Sequence, residues 1–313
     1  MELLLRRESA HVRKRYRELV DRARRRNTVA RLEQMLEEGK ASVLVDEFER
    51  VANGVASARE EVVASAAATE AQELARVLKA DIFYNTGNPR AVAAMQANRA
   101  RLVVGLVEDQ RVAITEALSE GIRAGFGPKQ QAATLRSIIG LTPSQARWVA
   151  NYRAKLERLD RGALEMALRD KRFDAATRKA IESGKPLTSE QIDKMVERYY
   201  QRAIGYRAEV IARTEVLRAT HEASEEAHLQ AIESGQLTEE RVQRTWIARM
   251  VRTRHSHASM HRQKRRLGVP FRSGNGSQLR YPCDANAPAS ETVQCQCAVT
   301  TRILPEGRVA VNG

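Results

Sequence analysis

The side chains best suited to bind a transition metal are concentrated in the last quarter of the chain. Three of the six histidines and all three cysteines lie there: His255, His257, His261, Cys283, Cys295 and Cys297. In a strand, residues two positions apart point to the same face, so Cys295 and Cys297 would offer two thiols side by side. A structural zinc site takes four nitrogen or sulfur ligands. The cluster therefore predicts a structural zinc ion, with two reduced cysteines in a compact core as the alternative.

Nucleophilic catalysis needs a nucleophile, a base and a group that orients the base. Ser256 lies between two histidines, but adjacent residues do not face one another, and residues 241–280 contain no Asp or Glu. Gly274–Gly276 lacks the Lys and the helix start of a phosphate-binding loop. We therefore predict that the chain is not an enzyme. A metal-dependent hydrolase or nuclease built on the histidine cluster is the less favoured alternative.

Basic charge is concentrated in the same region. Residues 241–280 hold eleven Lys and Arg, residues 1–27 hold ten against four acids, and the whole chain carries a net charge of +14. Two basic ends around a near-neutral middle indicate a polyanion such as DNA or RNA, or an acidic protein surface. The candidate contacts are Arg249, Arg252, Arg254, Arg262, Lys264, Arg265 and Arg266. Because no helix-turn-helix or zinc-finger pattern is present, such contact would be independent of base sequence and sensitive to salt.

The composition is typical of a globular protein made in a reducing cytoplasm. Hydrophobic residues are 42% and charged residues 29% of 313, which allows two or three folded units. No apolar run approaches the roughly 20 residues of a membrane helix, and the first residues lack a secretory pattern. Three cysteines do not form a disulfide framework.

Sparse Gly and Pro with abundant Ala, Leu, Arg and Glu favour helix over sheet. We predict a mainly α fold in which extended helical N-terminal and middle regions precede a small C-terminal α+β module with a few short strands. The expected regions are 1–87 (charged and helical), 88–187 (helical), 188–304 (the module) and 305–313 (a tail). The expected strands are Thr245–Ala248, Gln278–Tyr281 and Val293–Ile303.

Local signals place the long helices of this fold. Thr142 with Gln145 and Thr188 with Gln191 form capping boxes, in which the two side chains of each pair satisfy each other's backbone N–H groups. The second box begins a helix from about Ser189 to Glu233. Its buried face should carry Met195, Tyr199, Ala203, Tyr206, Val210, Thr214 and Leu217. The charges of Arg213–Glu215 beside this face predict a structural salt bridge to the module that follows.

Several short motifs surround the basic region. They are Thr245–Ala248, Arg252–Met260, Phe271, Leu279–Pro282, Asp284 and Cys295–Cys297, with Arg213–Glu215 and Gly140–Arg153 upstream. Together they resemble the phage Mu F-like head-morphogenesis family, also called minor capsid or minor head proteins, over about residues 200–303. The residues that fit the family pattern are Arg254, His257, Gln263, Asp284, Cys295 and Cys297. This narrows the predicted zinc ligands to His257, Cys295 and Cys297.

The chain also departs from the family pattern. Members commonly carry an acidic residue in place of Met250, Gly in place of Arg262, Gly in place of Cys283, and Asn-Cys-Arg-Cys in place of Gln294–Cys297. Because Cys283 lies at one of these departures, the predicted metal site leaves it out.

The resemblance implies a structural minor capsid protein of a tailed phage, present at low copy near the portal and acting in head (procapsid) assembly. It implies no enzymatic activity. The implied partners are the portal protein, the major capsid or scaffolding protein, and packaged DNA contacted non-specifically through the basic segments, without a membrane. The implied location is the capsid interior at the portal vertex, after assembly in the host cytoplasm. A nucleic-acid-binding protein acting outside the capsid is the alternative.

Overall fold

The computed structural model describes residues 2–250 and 253–313, and it confirms a mainly α fold with a small C-terminal set of short antiparallel strands. The helices are α1 (Glu2–Arg26), α2 (Val29–Glu37), α3 (Ser42–Leu78), α4 (Pro89–Arg123), α5 (Pro128–Arg136), α6 (Pro143–Glu157), α7 (Asp174–Ser183), α8 (Ser189–Glu233), α9 (His255–Ala258) and α10 (Ala289–Thr292). The strands are β1 (Val242–Ile247), β2 (Lys264–Arg266), β3 (Phe271–Arg272), β4 (Gln278–Leu279) and β5 (Ala298–Ile303).

The chain forms two compact units. Unit 1 comprises Met1–Val12, Ala56–Ala100 and Val210–Gly313, and unit 2 comprises Arg13–Val55 and Arg101–Glu209. Within the part of the chain that the structure describes, no helix is both long enough and apolar enough to cross a bilayer.

The strands of unit 1 form two small antiparallel sheets around one aromatic residue. β1 lies at the centre of a three-stranded sheet with β2 and β5 on its two sides, and β3 pairs with β4. Trp246 on β1 is fully buried, and the centroid of its ring lies 5.2 Å from that of Phe271 in an edge-to-face arrangement. Leu217 of α8 and Met260 pack into the same cluster. A module this small keeps its shape through few contacts, which makes additional links between its loops important.

The segment expected to be a tail is bound to this module. Ala310 is fully buried, and its N–H donates to the carbonyl of Glu240 at 2.7 Å. The side chain of Gln243 accepts from Val311 N at 2.8 Å and donates to Val311 O at 3.0 Å. Lys264 of β2 and Gly313 exchange backbone hydrogen bonds at 2.6 and 2.9 Å, so the last residues cover the open edge of β2 and satisfy backbone groups that an edge strand would expose.

Unit 2 is held together by buried tyrosines that anchor a tight turn. The hydroxyl of Tyr16 donates to Gly140 O at 2.5 Å, and that of Tyr200 donates to Ile139 O at 2.7 Å. Gly140 has φ +82°, and a Cβ there would lie 2.8 Å from a methyl group of Val20. This turn needs glycine both for its left-handed backbone and for its close approach to α1.

Capping chemistry explains where α6 and α8 begin. Thr142 accepts from Gln145 N at 3.2 Å, and the Gln145 side chain accepts from Thr142 N at 3.2 Å. Thr188 and Gln191 repeat the arrangement at 3.2 and 2.9 Å. Both predicted capping boxes are confirmed, and α8 has its predicted bounds.

The predicted buried face of α8 is wrong at one position. Tyr206 is 42% exposed and contacts the ring of Trp148, whereas Arg207 is buried and pairs with Asp109 at 2.9 Å. The predicted stripe leaves out Arg207, because charged residues are expected at the surface. The ion pair with Asp109 instead places the Arg207 guanidinium inside unit 2. Met195, Tyr199, Ala203, Thr214 and Leu217 are buried as predicted, and Val210 is half-buried.

Candidate metal centre

The short helix α9 places His257 in the interior of unit 1. The imidazole is only 1% exposed, and the centroid of its ring lies 5.5 Å from that of the Trp246 ring in an edge-to-face arrangement. Arg254, at the N-cap of α9, donates to the carbonyl of Glu291 at 3.0 Å and to that of Val293. This guanidinium therefore ties the start of α9 to the loop that carries the cysteines.

Cys295 and Cys297 lie in the loop between α10 and β5. The predicted strand over Val293–Ile303 begins only at Ala298, so strand geometry does not place the two thiols together. The loop itself does so. The backbone at Gln294 is left-handed with φ +58°, and Gln294 N donates to Thr214 Oγ1 of α8 at 3.2 Å.

The three predicted ligands meet in space. Nδ1 of His257 lies 3.5 Å from Sγ of Cys295 and 3.5 Å from Sγ of Cys297, and the three ligand atoms lie within 4.8 Å of one another. All three side chains are buried. With Zn–S of about 2.3 Å and Zn–N of about 2.0 Å, tetrahedral coordination requires a sulfur-to-nitrogen distance of about 3.5 Å. The two observed sulfur-to-nitrogen distances match this value, and two thiols with one imidazole are a donor set that suits zinc.

Glu291 supplies the acidic partner that the sequence window of 241–280 lacks. Its Oε2 lies 2.7 Å from Nε2 of His257, at ion-pair distance but without the geometry of a well-formed hydrogen bond, while the thiols face Nδ1. The carboxylate is 2% exposed, and it accepts hydrogen bonds from Ser256 Oγ at 3.0 Å and from the amide of Asn275. Metal-binding imidazoles commonly place their second nitrogen against a carboxylate, which fixes the tautomer and raises ligand basicity.

Trp246 provides a second sign that a thiolate fits this place. Its Nε1 is buried and makes no well-formed hydrogen bond to a described residue. The pKa of Cys297 is raised, first by its hydrogen bond with Cys295 and then by burial, and the Trp246 indole acts in the opposite direction. A buried N–H without an acceptor is costly, and a metal-bound thiolate is a strong acceptor.

The three thiols lie close enough to share protons. Hydrogen bonds from Cys283 and then from Cys297 lower the pKa of Cys295, while burial opposes them. The pKa of Cys283 is raised, first by its hydrogen bond to Cys295 and then by burial. Its thiol donates to Thr292 O at 3.2 Å, and it does not belong to the three-residue ligand group.

The helix that leads into the module holds both cysteine segments. The predicted salt bridge to the module is wrong for Glu215, which accepts from Arg218 of the same helix at 2.6 Å and lies 3.4 Å from Arg59 of α3. The link to the module is a hydrogen bond instead, from Arg218 Nε to Cys283 O at 2.7 Å. The other two histidines of the cluster lie outside the ligand group. His255 is exposed, and His261 accepts from Ala248 N at 3.2 Å.

The predicted basic contacts divide into two groups. Arg254, Arg265 and Arg266 point their guanidinium groups at backbone carbonyls, Arg265 at Pro270 O (3.2 Å) and Arg266 at Ala310 O (2.8 Å). Arg249, Arg262 and Lys264 are exposed. Arg252 lies outside the described residues. Their assignment as contacts to DNA or to an acidic partner stays a prediction.

Arg244, in the same basic window, has an interior role. It is 3% exposed and donates to the carbonyls of Arg266 (3.0 Å), Val269 (2.6 Å) and Arg280 (2.8 Å). Burial lowers the pKa of its guanidinium, and Glu225 raises it. Part of the basic charge of this region therefore stabilises the module itself.

Comparison with known proteins adds no further constraint. The chain matches no protein-family model, no curated protein and no solved structure.

Proposed function

We propose that this chain is a structural minor capsid protein of a tailed phage, present at low copy near the portal and acting in head assembly. Its proposed partners are the portal protein, the major capsid or scaffolding protein, and packaged DNA. Its proposed location is the capsid interior at the portal vertex, following assembly in the host cytoplasm. No enzymatic activity is assigned to it.

Three positions at which this chain departs from the phage Mu F-like pattern have a backbone conformation that suits the residues the family carries there. This match is the main support for the proposal. That family commonly carries Gly, Gly and Asn where this chain carries Arg262, Cys283 and Gln294. These three residues have φ of +69°, +63° and +58°, and among the described residues only Lys79 and Leu159 are further non-glycine positions with positive φ. Gly and Asn are the residues that adopt this conformation most readily. The match therefore supports a shared backbone in the module.

The roles of the pattern residues also support a structural protein. Arg254 links α9 to the cysteine loop, and Gln263 donates to Arg272 O at 2.8 Å. Asp284 accepts from Arg280 N at 2.9 Å. Together with His257, Cys295 and Cys297, these residues hold loops in place inside the module, and Glu291 is fully occupied by its own partners. The three candidate ligands therefore lie among contacts that stabilise the fold, although a structural zinc site takes four ligands and the described residues supply three.

We propose zinc as the ion at this centre. His257 Nδ1, Cys295 and Cys297 would bind it, and Glu291 would orient the imidazole. A zinc ion would hold the two thiols ionised and link α9 to the loop before β5, which stabilises a module with a small core.

Mass spectrometry of purified virions tests the capsid role. We expect this chain in full heads and in procapsids, at a copy number far below that of the major capsid protein. Deleting its gene should yield fewer infectious particles, and expression from a plasmid should restore them. Absence of the chain from both virions and procapsids would contradict the proposal.

A nucleic-acid-binding protein acting outside the capsid is the second candidate. The exposure of Arg249, Arg262 and Lys264 favours it, because these cations are available to phosphates. Fractionation of infected cells separates the two candidates. A chain that stays with host or phage DNA and never enters particles would support the second candidate.

A further inference from the structure

Unit 2 carries a basic concave pocket that the proposed function does not use. Its volume is about 460 Å³. The polar residues that line it are Arg17 on α1, Asp170 and Arg172 before α7, and Arg198, Gln201 and Arg202 on α8. We call it the unit 2 basic pocket. Because three separate segments contribute to it, no single stretch of sequence indicates it.

Asp170 is the only acid that lines this pocket, and its charge is already neutralised. The carboxylate is 3% exposed and accepts hydrogen bonds from Arg172. Nη2 donates to Oδ2 at 2.6 Å, and Nε donates to both oxygens at 3.1 Å. Arg202 approaches Oδ1 at 3.4 Å. These contacts, led by the Arg172 hydrogen bond, hold the pKa of Asp170 well below its usual range. Four arginines against one carboxylate leave a net charge of about +3 around the concavity.

Two of the arginines have no protein partner to neutralise them. Arg17 and Arg198 are exposed, and neither makes a hydrogen bond or an ion pair with any described residue. Elsewhere in unit 2 some exposed arginines pair, as Arg13 does with Glu209 at 2.6 Å, and others such as Arg22 and Arg123 pair with no described residue, so the distinctive feature of Arg17 and Arg198 is their place in one concavity. The pocket thus contains two guanidinium groups without a described protein partner, Arg17 and Arg198. The other two, Arg172 and Arg202, are oriented by Asp170.

The spacing of charge along α8 costs helix stability. Lys194, Arg198 and Arg202 follow one another at four-residue intervals, and all three are exposed. Like charges at this spacing destabilise a helix. An external polyanion that lies against this row would offset the repulsion.

The lining indicates the class of that polyanion. Guanidinium groups match phosphate oxygens in a bidentate way. The apolar lining consists of Ala167 and Leu168, so the pocket lacks the aromatic anchors typical of protein interfaces. It also lacks aromatic rings on which unpaired bases would stack. These features favour the backbone of double-stranded DNA over an acidic protein segment and over single strands.

We propose that the unit 2 basic pocket binds the phosphodiester backbone of double-stranded DNA through Arg17 and Arg198, with Arg172 and Arg202 as pre-oriented neighbours. This deepens the DNA contact of the proposed function and rests on it. It places a phosphate site in the helical part of the chain, in addition to the basic C-terminal segment. Contact would be independent of base sequence, because only phosphates are recognised.

Fluorescence anisotropy of the full chain with a labelled random DNA duplex, measured over a salt series, tests the proposal. The test variant is Arg17→Ala/Arg198→Ala. The matched control is Arg123→Ala/Lys185→Ala, which removes the same charge from exposed positions of unit 2 outside the pocket. Circular dichroism confirms that both variants remain folded, as expected for exposed side chains.

We expect the test variant to bind at least about tenfold more weakly at low salt and to lower the slope of log K against log salt by about 2, since each phosphate contact contributes about 0.9. The control should keep the wild-type slope. Equal binding by the two double variants would overturn the pocket assignment and leave the capsid role intact. No binding by the wild type at low salt would remove DNA contact from the proposed function as well. If poly-glutamate of equal total charge displaced the duplex from the pocket as well as unlabelled duplex does, the pocket would belong to an acidic protein partner and the proposal would fail.

Discussion

Nε2 of His257 lies 2.7 Å from a carboxylate oxygen of Glu291, while Nδ1 of the same ring faces Cys295 and Cys297. The two nitrogens of one buried imidazole thus have opposite roles. A carboxylate on one nitrogen leaves the other free to present a lone pair, which is the arrangement a metal ligand needs. Glu291 lies 34 residues from His257, so only the folded module brings them together.

Metal analysis of the purified chain should find about one zinc ion per molecule, because His257, Cys295 and Cys297 converge at zinc spacing. His257→Ala and Cys295→Ser should lose the ion and melt at lower temperature. Cys283→Ser is the matched control, since that thiol is buried next to Cys295 but lies outside the ligand group. It should keep the zinc. A wild-type chain without zinc, and with unchanged melting in a chelator, would contradict the metal centre.

Replacing Glu291 with Gln should weaken zinc binding by about 10–100-fold without abolishing it, because the imidazole loses its charged partner and keeps its position. Competition with a chromophoric chelator measures this affinity. Glu306→Gln serves as the control, since the Glu306 side chain is 92% exposed and lies 3.9 Å from Arg241. An affinity for Glu291→Gln equal to that of the control would remove Glu291 from the centre.

Acid should weaken unit 2 through the pair of Arg24 and Glu197. Arg24 is 9% exposed, lies 4.0 Å over the Tyr200 ring, and bonds both Glu197 oxygens at 2.8 and 2.9 Å. The hydrogen bond from Arg24 lowers the pKa of Glu197 from 4.5 to about 2. The folded-state pKa is depressed, so this stabilisation is complete above about pH 4.5 and is lost as the pH falls towards 2.

Glu197→Gln should therefore lower the free energy of unfolding by about 1–2 kcal/mol at neutral pH, a figure that allows for solvent screening of the half-exposed carboxylate. The difference between wild type and variant should shrink as the pH falls from 4.5 to 2. Urea denaturation at a series of pH values measures it. Glu157→Gln, which removes an exposed pair at 3.6 Å, should change the stability little at any pH. A difference for Glu197→Gln that does not depend on pH would be the contrary result.

The sequence predicts helix boundaries better than it predicts the surroundings of the metal centre. α8 begins and ends where expected because Thr188 and Gln191 form a local capping box whose chemistry does not depend on the rest of the fold. The ligands His257, Cys295 and Cys297 are predicted because their residue types suit zinc and the resemblance to the phage Mu F-like pattern selects them from the six His and Cys residues of the region. Glu291 and Trp246 are missed, since an isolated Glu or Trp carries no signal until the chain folds.

Two expectations fail for the same physical reason. The thiols meet through a loop with a left-handed residue at Gln294, where the alternation of side chains along a strand does not apply. Arg207 is buried by its pair with Asp109, although charged residues are expected at the surface. The cysteine loop and the burial of Arg207 both depend on contacts between residues distant in sequence. The spacing of residues along the chain cannot indicate such contacts. Of these features, only the positive φ at Gln294 could have been predicted from a residue preference. The phage Mu F-like family commonly carries Asn at this position, and Asn adopts positive φ readily.

That preference can be tested at Arg262, where φ is +69° and the side chain is exposed. The left-handed conformation costs a non-glycine residue roughly 1–2 kcal/mol, and the greater freedom of glycine in the unfolded chain offsets about 0.4–1 kcal/mol of the gain. Arg262→Gly should therefore raise the free energy of unfolding by about 0.5–1 kcal/mol, as measured by urea denaturation. Arg249→Gly is the control: the residue is also an exposed arginine of the module but does not have positive φ, so glycine there should be neutral or destabilising. If the two variants lost stability equally, the left-handed turn would not be the reason that the resembled family carries glycine at this position, and the backbone match behind the proposed capsid role would lose its support.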